Sequence, residues 1–202
     1  MKLFSVIGVS SSGKTTTIEH IIGELRKRGY SVGSVKEIHF QDFAIDTPGS
    51  NTDRHRLAGA QLVSARGFYE TDLLYQRMLS IGEILMHYDH DFVALEGVSD
   101  IPVPTIIAAH TADEVRERRT ENTFAVSGRL ADTCREVDGL PAISALTSAA
   151  ELTDLVEEKA AAYIPPHRYT LDGKPLSTRQ NALLAAALGE LAGVQELEEI
   201  KS

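Results

Sequence analysis

The segment GVSSSGKT, residues 8–15, is the feature that most limits what this chain can fold into. A short apolar run, residues 3–7, precedes it, and residues 15–28 follow it with the apolar spacing of one helix face. Glycines at both ends let the backbone curl with its N–H groups pointing inward, and the following helix adds a positive N-terminus. This order of strand, loop and helix predicts a phosphate-binding loop for a nucleotide.

The side chains of this loop suit a nucleoside triphosphate with its metal ion. We expect Lys14 to reach the β- and γ-phosphate oxygens as a point charge, and the Thr15 hydroxyl to bind Mg²⁺. The remaining predicted nucleotide contacts come from the same segment and the residue after it: Gly8, Ser10, Ser11, Ser12, Gly13 and Thr16.

Two acidic residues are candidates for the carboxylate that such a loop needs to hold the hydrated metal or to orient a water. Glu96 follows an apolar run, residues 91–95, and the carboxyl ends of parallel strands face the ligand crevice. A surface glutamate at the start of a loop is the alternative. Asp46 begins Asp-Thr-Pro-Gly, which is similar to the Asp-x-x-Gly of GTP-binding proteins, although turn chemistry explains the same residues. The predicted catalytic residues are Lys14, Asp46 and Glu96, and the predicted metal ligands are Thr15, Asp46 and Glu96.

The identity of the base is open at the level of sequence. GTP-binding proteins usually read guanine with Asn/Thr-Lys-x-Asp, and no lysine in this chain is followed two residues later by aspartate. The residues by themselves therefore do not choose GTP over ATP.

Strand and helix signals alternate along the chain. Predicted strands lie at residues 3–7, 30–35, 61–65, 91–95, 105–108, 123–126 and 142–144, and predicted helices at 15–28, 54–59, 71–88, 148–163 and 177–192. This alternation predicts an α/β fold with a mostly parallel sheet and helices on both faces. We expect one nucleotide-binding domain over residues 1–202, with residues 165–202 as a hairpin-helix extension.

Composition excludes several classes of partner. The formal net charge is −9, so nothing supplies the broad basic surface of a general nucleic-acid or anionic-membrane binder. No apolar run approaches the roughly 18 residues of a membrane span. The single cysteine, Cys134, allows no internal disulfide and suits a reducing cytoplasm.

Residues 30–63 resemble the MobB family, the molybdopterin-guanine dinucleotide biosynthesis protein B. The matching residues are Lys36, His39, Asp46, Pro48, Gly49, Asp53, Arg54, His55, Ala58, Gly59 and Ala60. HDFVALEG, residues 90–97, resembles the acidic strand end of the same family. The chain departs from the family where Glu37 and Phe40 replace histidines.

The resemblance implies a P-loop protein that binds GTP with Mg²⁺, hydrolyses it weakly and forms a homodimer. It also implies an adapter for the nucleotidyltransferase that joins GMP to molybdopterin, so that enzyme and molybdopterin are the expected partners. Lys36, His39 and Arg54 are the basic residues that we expect to contact a bound anion.

Two other functions are compatible with a phosphate loop. One is an ATP-dependent small-molecule kinase, which would need a pocket for an acceptor. The other is a nucleotide-gated regulatory switch, with residues 39–53 as its moving segment, which would need different affinities for the tri- and diphosphate. The MobB-like block from Lys36 to Ala60 favours the adapter.

Overall fold

The structure is a computed structural model that describes residues 1–40, 43–163, 170–171, 174–176, 180 and 184. The chain divides into two compact units. The core unit comprises Met1–Glu37 and the chain from Leu85 onward, and the inserted unit comprises Ile38–Ile84.

The strands are β1 Lys2–Ile7, β2 Val32–Lys36, β3 Leu62–Arg66, β4 Thr71–Tyr75, β5 Phe92–Glu96, β6 Thr105–Ala108, β7 Thr123–Ser127, β8 Glu136–Val137, β9 Leu140–Pro141, β10 Ala161–Ala162, β11 Thr170–Leu171 and β12 Lys174–Pro175. The helices are α1 Lys14–Lys27, α2 Asn51–Leu57, α3 Ile81–Leu85, α4 Ala112–Arg118 and α5 Ala149–Lys159, with a 3₁₀ turn at Gly128–Asp132.

The core unit is built on a parallel sheet with the strand order β2-β5-β1-β6-β7, to which β10 adds one antiparallel pairing with β1. All five residues of β5 are buried, as expected for a central strand covered on both faces. In the register of the sheet Glu96 lies beside both Val6 and Lys36. The end of β5 therefore lies at the same edge of the sheet as the loop after β1.

Helices cover both faces of this sheet, as the sequence predicts. Apolar residues of α1 and α5, among them Ile21 and Leu152, pack in one cluster with Ile106. Val115 of α4 packs in a second cluster with the next residue of the strand, Ile107. Because successive side chains of a strand point to opposite faces, the two clusters lie on opposite sides of the sheet. The α/β fold with a mostly parallel sheet is confirmed.

Arg28, just after α1, connects this helix to α5. Its guanidinium donates to Asp154 at 2.7 Å, to Glu157, and to the carbonyl oxygen of Ala150 at 3.0 Å. We expect Arg28→Ala to lower the free energy of unfolding by about 1–2 kcal/mol, because charge-assisted bonds between two helices are lost from a partly exposed site. Lys27→Ala, which loses one bond to Glu24 within α1, is the control for urea unfolding. Equal stability of both variants would contradict this account.

The inserted unit corrects one prediction. Residues 71–88 are not one helix, because Thr71–Tyr75 forms β4 and pairs antiparallel with β3, and only Ile81–Leu85 is helical. The turn between the strands is closed by the Gly67 N–H, which donates to the carbonyl oxygen of Glu70 at 2.8 Å. Cross-strand pairing therefore outweighs the apolar spacing that favours a helix.

Glu83 in the inserted unit should make stability sensitive to acid. The bonds from Arg77, and then those from the backbone and hydroxyl of Ser80, lower the pKa of Glu83 from 4.5 to about 2. The stabilisation is complete above pH 4.5 and is lost as the pH falls towards 2. Melting curves of the protein and of Glu83→Gln should therefore differ at neutral pH and converge at pH 2. A difference that persists unchanged at pH 2 would contradict this pKa.

Two other predictions were only partly realised. The strand predicted at residues 142–144 is reduced to a single parallel bridge between Ala142 and Val126, since the turn that leads into α5 begins at Ser144. In the predicted C-terminal extension β11 and β12 pair as a hairpin. Of the helix predicted at 177–192 only residues 180 and 184 are described, both of them helical, and its other residues lie outside the described part of the chain. The one-domain organisation stays a prediction. None of the described helices combines the length and apolarity that crossing a bilayer requires.

Candidate functional site

The loop after β1 ends at the N-terminus of α1, which no side chain caps. Gly13 caps the helix in a left-handed conformation and offers no side-chain bond to the first turn. The first N–H groups of a helix have no intrahelical partner, and a side-chain cap usually satisfies one of them. Here a bound anion would take that place, favoured by the positive end of the helix.

Gly8 lets the loop pass close to β6. Its φ is +152°, and a Cβ at this position would lie 2.0 Å from the carbonyl oxygen of Ala108. Any larger residue would have to displace backbone, so glycine at position 8 is a steric requirement for the curled loop.

Lys14 folds back over the same loop. Its ammonium donates to the carbonyl oxygens of Gly8 at 2.9 Å and Val9 at 2.7 Å. Burial lowers the pKa of Lys14 below its ordinary value, and the carboxylate of Glu96 partly opposes this shift. A phosphate in the loop would add a full negative charge beside this ammonium and stabilise its protonated form.

Thr15, Lys36 and Glu96 form one cluster beside the loop. The Thr15 hydroxyl donates to Glu96 Oε1 at 2.8 Å, and the Lys36 ammonium lies 2.5 Å from the same oxygen and 3.2 Å from Thr15 Oγ1. Glu96 is buried, so it is not the surface glutamate that the sequence left as an alternative. The structure thus brings together three of the predicted site residues, with Lys36 paired to a carboxylate.

The donor set of this cluster suits Mg²⁺. A hydroxyl and a carboxylate oxygen are hard ligands, and in phosphate-loop proteins the ion completes its octahedron with phosphate oxygens and waters. No group of three or more His, Cys, Asp or Glu side chains in the described residues could hold a metal by itself. The site therefore fits an ion that arrives with a phosphate ligand.

Asp46, His39 and Arg54 belong to the inserted unit, and their roles at the nucleotide stay predictions. Asp46 Oδ1 accepts from the hydroxyls of Ser50 at 2.8 Å and Thr52 at 2.9 Å. Its Oδ2 is buried and finds no partner within the described part of the chain. A buried carboxylate oxygen without a partner is unfavourable, so this atom is suited to accept a hydrogen bond from a ligand or to bind a cation.

A cavity of about 690 Å³ in the core unit starts at the loop and extends away from it. Its walls combine the loop and the first turn of α1 with a second group that the sequence reasoning missed: Gly128, Arg129, Asp132, Thr133, Ser144, Ala145 and Leu146. The missed residues follow β7 and precede α5. The secondary-structure signals in this part of the sequence are short, and one of them, at residues 142–144, predicts a strand.

His110 is a second residue that the sequence did not single out. Its Nε2 lies 3.1 Å from the carbonyl oxygen of Ser11, and its backbone N–H donates to Glu114 at 2.7 Å. The ring thereby contacts the outer side of the phosphate loop, at the start of α4. A position two residues after the end of β6 is the sequence signal that could have found it.

A parallel sheet with a phosphate loop after its first strand and a buried carboxylate at the end of the neighbouring strand defines the P-loop NTPase fold. The family model "Molybdopterin guanine dinucleotide synthesis protein B" matches residues 3–128, and the chain belongs to this family, MobB.

Three curated relatives carry related descriptions. A Bacillus subtilis protein described as a probable molybdopterin-guanine dinucleotide biosynthesis adapter protein is 26% identical over 147 residues, 71% of this chain and 85% of that protein. A putative adapter protein of Methanocaldococcus jannaschii is 31% identical over 119 residues, and an adapter protein of Haemophilus influenzae is 28% identical over 110 residues. These matches cover 56% and 52% of this chain and only 49% and 61% of the two relatives.

Solved structures share the fold. The crystal structure of Bacillus subtilis MobB superimposes with a TM-score of 0.65 at 25% identity, over 81% of this chain and 100% of that one. A MobB homologue from Bacillus stearothermophilus gives a TM-score of 0.60 at 20% identity, over 78% of this chain and 99% of that one. The second likeness concerns the fold alone.

Proposed function

We propose that this protein binds GTP with Mg²⁺ and acts as an adapter in the attachment of GMP to molybdopterin. The observation that carries the proposal is the bond between Thr15 and Glu96 beside an uncapped α1, in a chain of the MobB family. The loop amides and Lys14 hold the triphosphate, and Thr15 and Glu96 hold or orient the hydrated ion.

Weak GTP hydrolysis accompanies this role. Glu96 Oε1 accepts from both Thr15 and Lys36, so we assign this carboxylate to positioning Thr15 and the hydrated ion rather than to efficient general-base catalysis. The triphosphate is thereby held for transfer of its GMP moiety to molybdopterin rather than consumed.

The second anion of the reaction needs its own positive charge. In a chain with a net charge of −9, Lys36, His39 and Arg54 are local cationic candidates for contact with molybdopterin or with the outer phosphates. The proposed partners are the molybdopterin-guanine nucleotidyltransferase and molybdopterin, and the proposed working form is a cytoplasmic homodimer. We propose no nucleic-acid or membrane partner.

The adapter role can be measured directly as product formation. Purified nucleotidyltransferase, molybdopterin and limiting GTP with Mg²⁺ should yield molybdopterin-guanine dinucleotide faster when this protein is added. Lys14→Ala should remove most of the gain, while Lys27→Ala, an exposed lysine at the other end of α1, should retain it. An equal rate with and without the protein would contradict the adapter role.

A further inference from the structure

The cavity beside the phosphate loop has the size and place of a nucleoside site. Its volume of about 690 Å³ lies within the range of small-molecule pockets. It begins at Gly13–Thr17, where the triphosphate chain would enter, and it ends at residues 128–146. A nucleotide whose phosphates occupy the loop therefore has room in this cavity for its sugar and base, beside those later residues.

Gly128 fixes this second wall against the loop. A Cβ on Gly128 would lie 2.2 Å from the carbonyl oxygen of Ser12, and its φ is +74°. The next residue, Arg129, donates its backbone N–H to the same oxygen at 3.2 Å. The 3₁₀ turn Gly128–Asp132 is thus attached to the phosphate loop by backbone contacts, which hold Asp132 at a set distance from the bound phosphates.

Asp132 faces the cavity with an oriented carboxylate. The Ser144 hydroxyl, which is buried, donates to Asp132 Oδ1 at 2.5 Å. No hydrogen bond to Asp132 Oδ2 arises from the described residues. The next residue, Ala145, is buried in the cavity wall, and its backbone N–H has no acceptor in the described part of the core unit. This end of the cavity thus has two carboxylate oxygens that can accept hydrogen bonds and one backbone N–H that can donate one.

Guanine is the base that this arrangement fits. Its edge presents the donors N1–H and N2–H₂ beside the acceptor O6, whereas adenine has an acceptor at N1, a donor at N6 and no amino group at C2. A carboxylate would accept from both guanine donors but would face a lone pair on adenine. Leu146, which is 61% exposed in the same wall, supplies an apolar surface for the flat ring.

We propose that Asp132 reads guanine by accepting from N1–H and N2–H₂, that Ser144 positions this carboxylate, and that the Ala145 N–H donates to O6. The inference rests on the proposed GTP-binding function and names the specificity determinant of that same site. Asp132 and Ser144 lie beyond the family-model match, which ends at residue 128, and Asp132 has no lysine two residues before it. The chain would therefore read guanine without the usual Asn/Thr-Lys-x-Asp.

The decisive variant is Asp132→Asn, because it should change the preferred base from guanine to xanthine rather than only weaken nucleotide binding. Xanthine carries a carbonyl oxygen where guanine carries the 2-amino group, and an asparagine amide can donate to that oxygen. Calorimetric titration of the full chain with Mg²⁺ and GTP, XTP, ATP or inorganic triphosphate should show GTP preferred over ATP by about tenfold or more. Asp132→Asn should lose about tenfold in GTP affinity and gain about tenfold for XTP. Its affinity for inorganic triphosphate should be unchanged.

Controls separate this inference from the function on which it rests. Asp113→Asn removes an exposed carboxylate of α4 and should leave all four affinities as in the unaltered protein. If Asp132→Asn keeps its GTP affinity while Lys14→Ala loses it, the guanine-reading role is overturned and GTP binding stands. Equal GTP and ATP affinities in the unaltered protein would also overturn the inference. If neither GTP nor inorganic triphosphate binds the unaltered protein, the proposed function itself fails.

Discussion

Lys14→Ala is expected to reduce GTP affinity by about ten- to a hundredfold, equivalent to roughly 1.5–3 kcal/mol of charge-assisted bonding. The ammonium already lies in the loop, bound to two of its carbonyl oxygens, so phosphates that enter there meet a positioned positive charge. Burial lowers the pKa of Lys14, and a bound anion offsets this cost of the charge, which adds to the affinity that Lys14 provides.

Lys27→Ala is the matched control for this loss. It removes the same charge from the opposite end of α1, where the side chain is exposed and bound only to Glu24 among the described residues. Calorimetric titration with GTP and Mg²⁺ should leave the affinity of this control within about twofold. Retention of full affinity by Lys14→Ala would show that the phosphates bind elsewhere.

Gly8→Ala is expected to have the largest effect on stability. The added Cβ would lie 2.0 Å from the carbonyl oxygen of Ala108 at a φ of +152°, so steric overlap and backbone strain act together. We expect a loss of about 3 kcal/mol or more in the free energy of unfolding. For a chain of this length that corresponds to a fall in melting temperature of about 6–12 °C.

Gly23→Ala, in the helix that follows the loop, is expected to raise the free energy of unfolding instead of lowering it. Gly23 lies in the middle of α1, and a Cβ there would meet nothing within 4 Å. Alanine should therefore stabilise the protein by about 0.5–1 kcal/mol through its higher helix propensity. Thermal unfolding of both variants tests the steric argument, and a Gly8→Ala protein as stable as the unaltered one would refute it.

The sequence predicted those parts of the site that are encoded by short stretches of consecutive residues. The phosphate loop, α1 and the strand that ends at Glu96 each follow from a few consecutive residues, and the parallel sheet then brings Glu96 beside Thr15. Lys36 was expected to face an anion, and its pairing with Glu96 could not be foreseen because it depends on the register of β2 and β5.

The parts that the sequence did not predict depend on contacts between distant residues. Leu74, Met78, Ile81 and Leu85 have the spacing of one helix face, and only the pairing of β4 with β3 shows that the stretch begins as a strand. The cavity joins residues 11–17 to residues 128–146, more than 100 positions apart. Asp132 acquires its orientation from Ser144, a partner that no local pattern connects to it.

The central claim is that the loop at residues 8–15 binds GTP with Mg²⁺. The most direct measurement is a calorimetric titration of the unaltered full chain with GTP and with ATP, each with Mg²⁺. The account predicts saturable one-site binding of GTP that is at least about tenfold tighter than that of ATP. Binding of ATP alone, or of neither nucleotide, would contradict it.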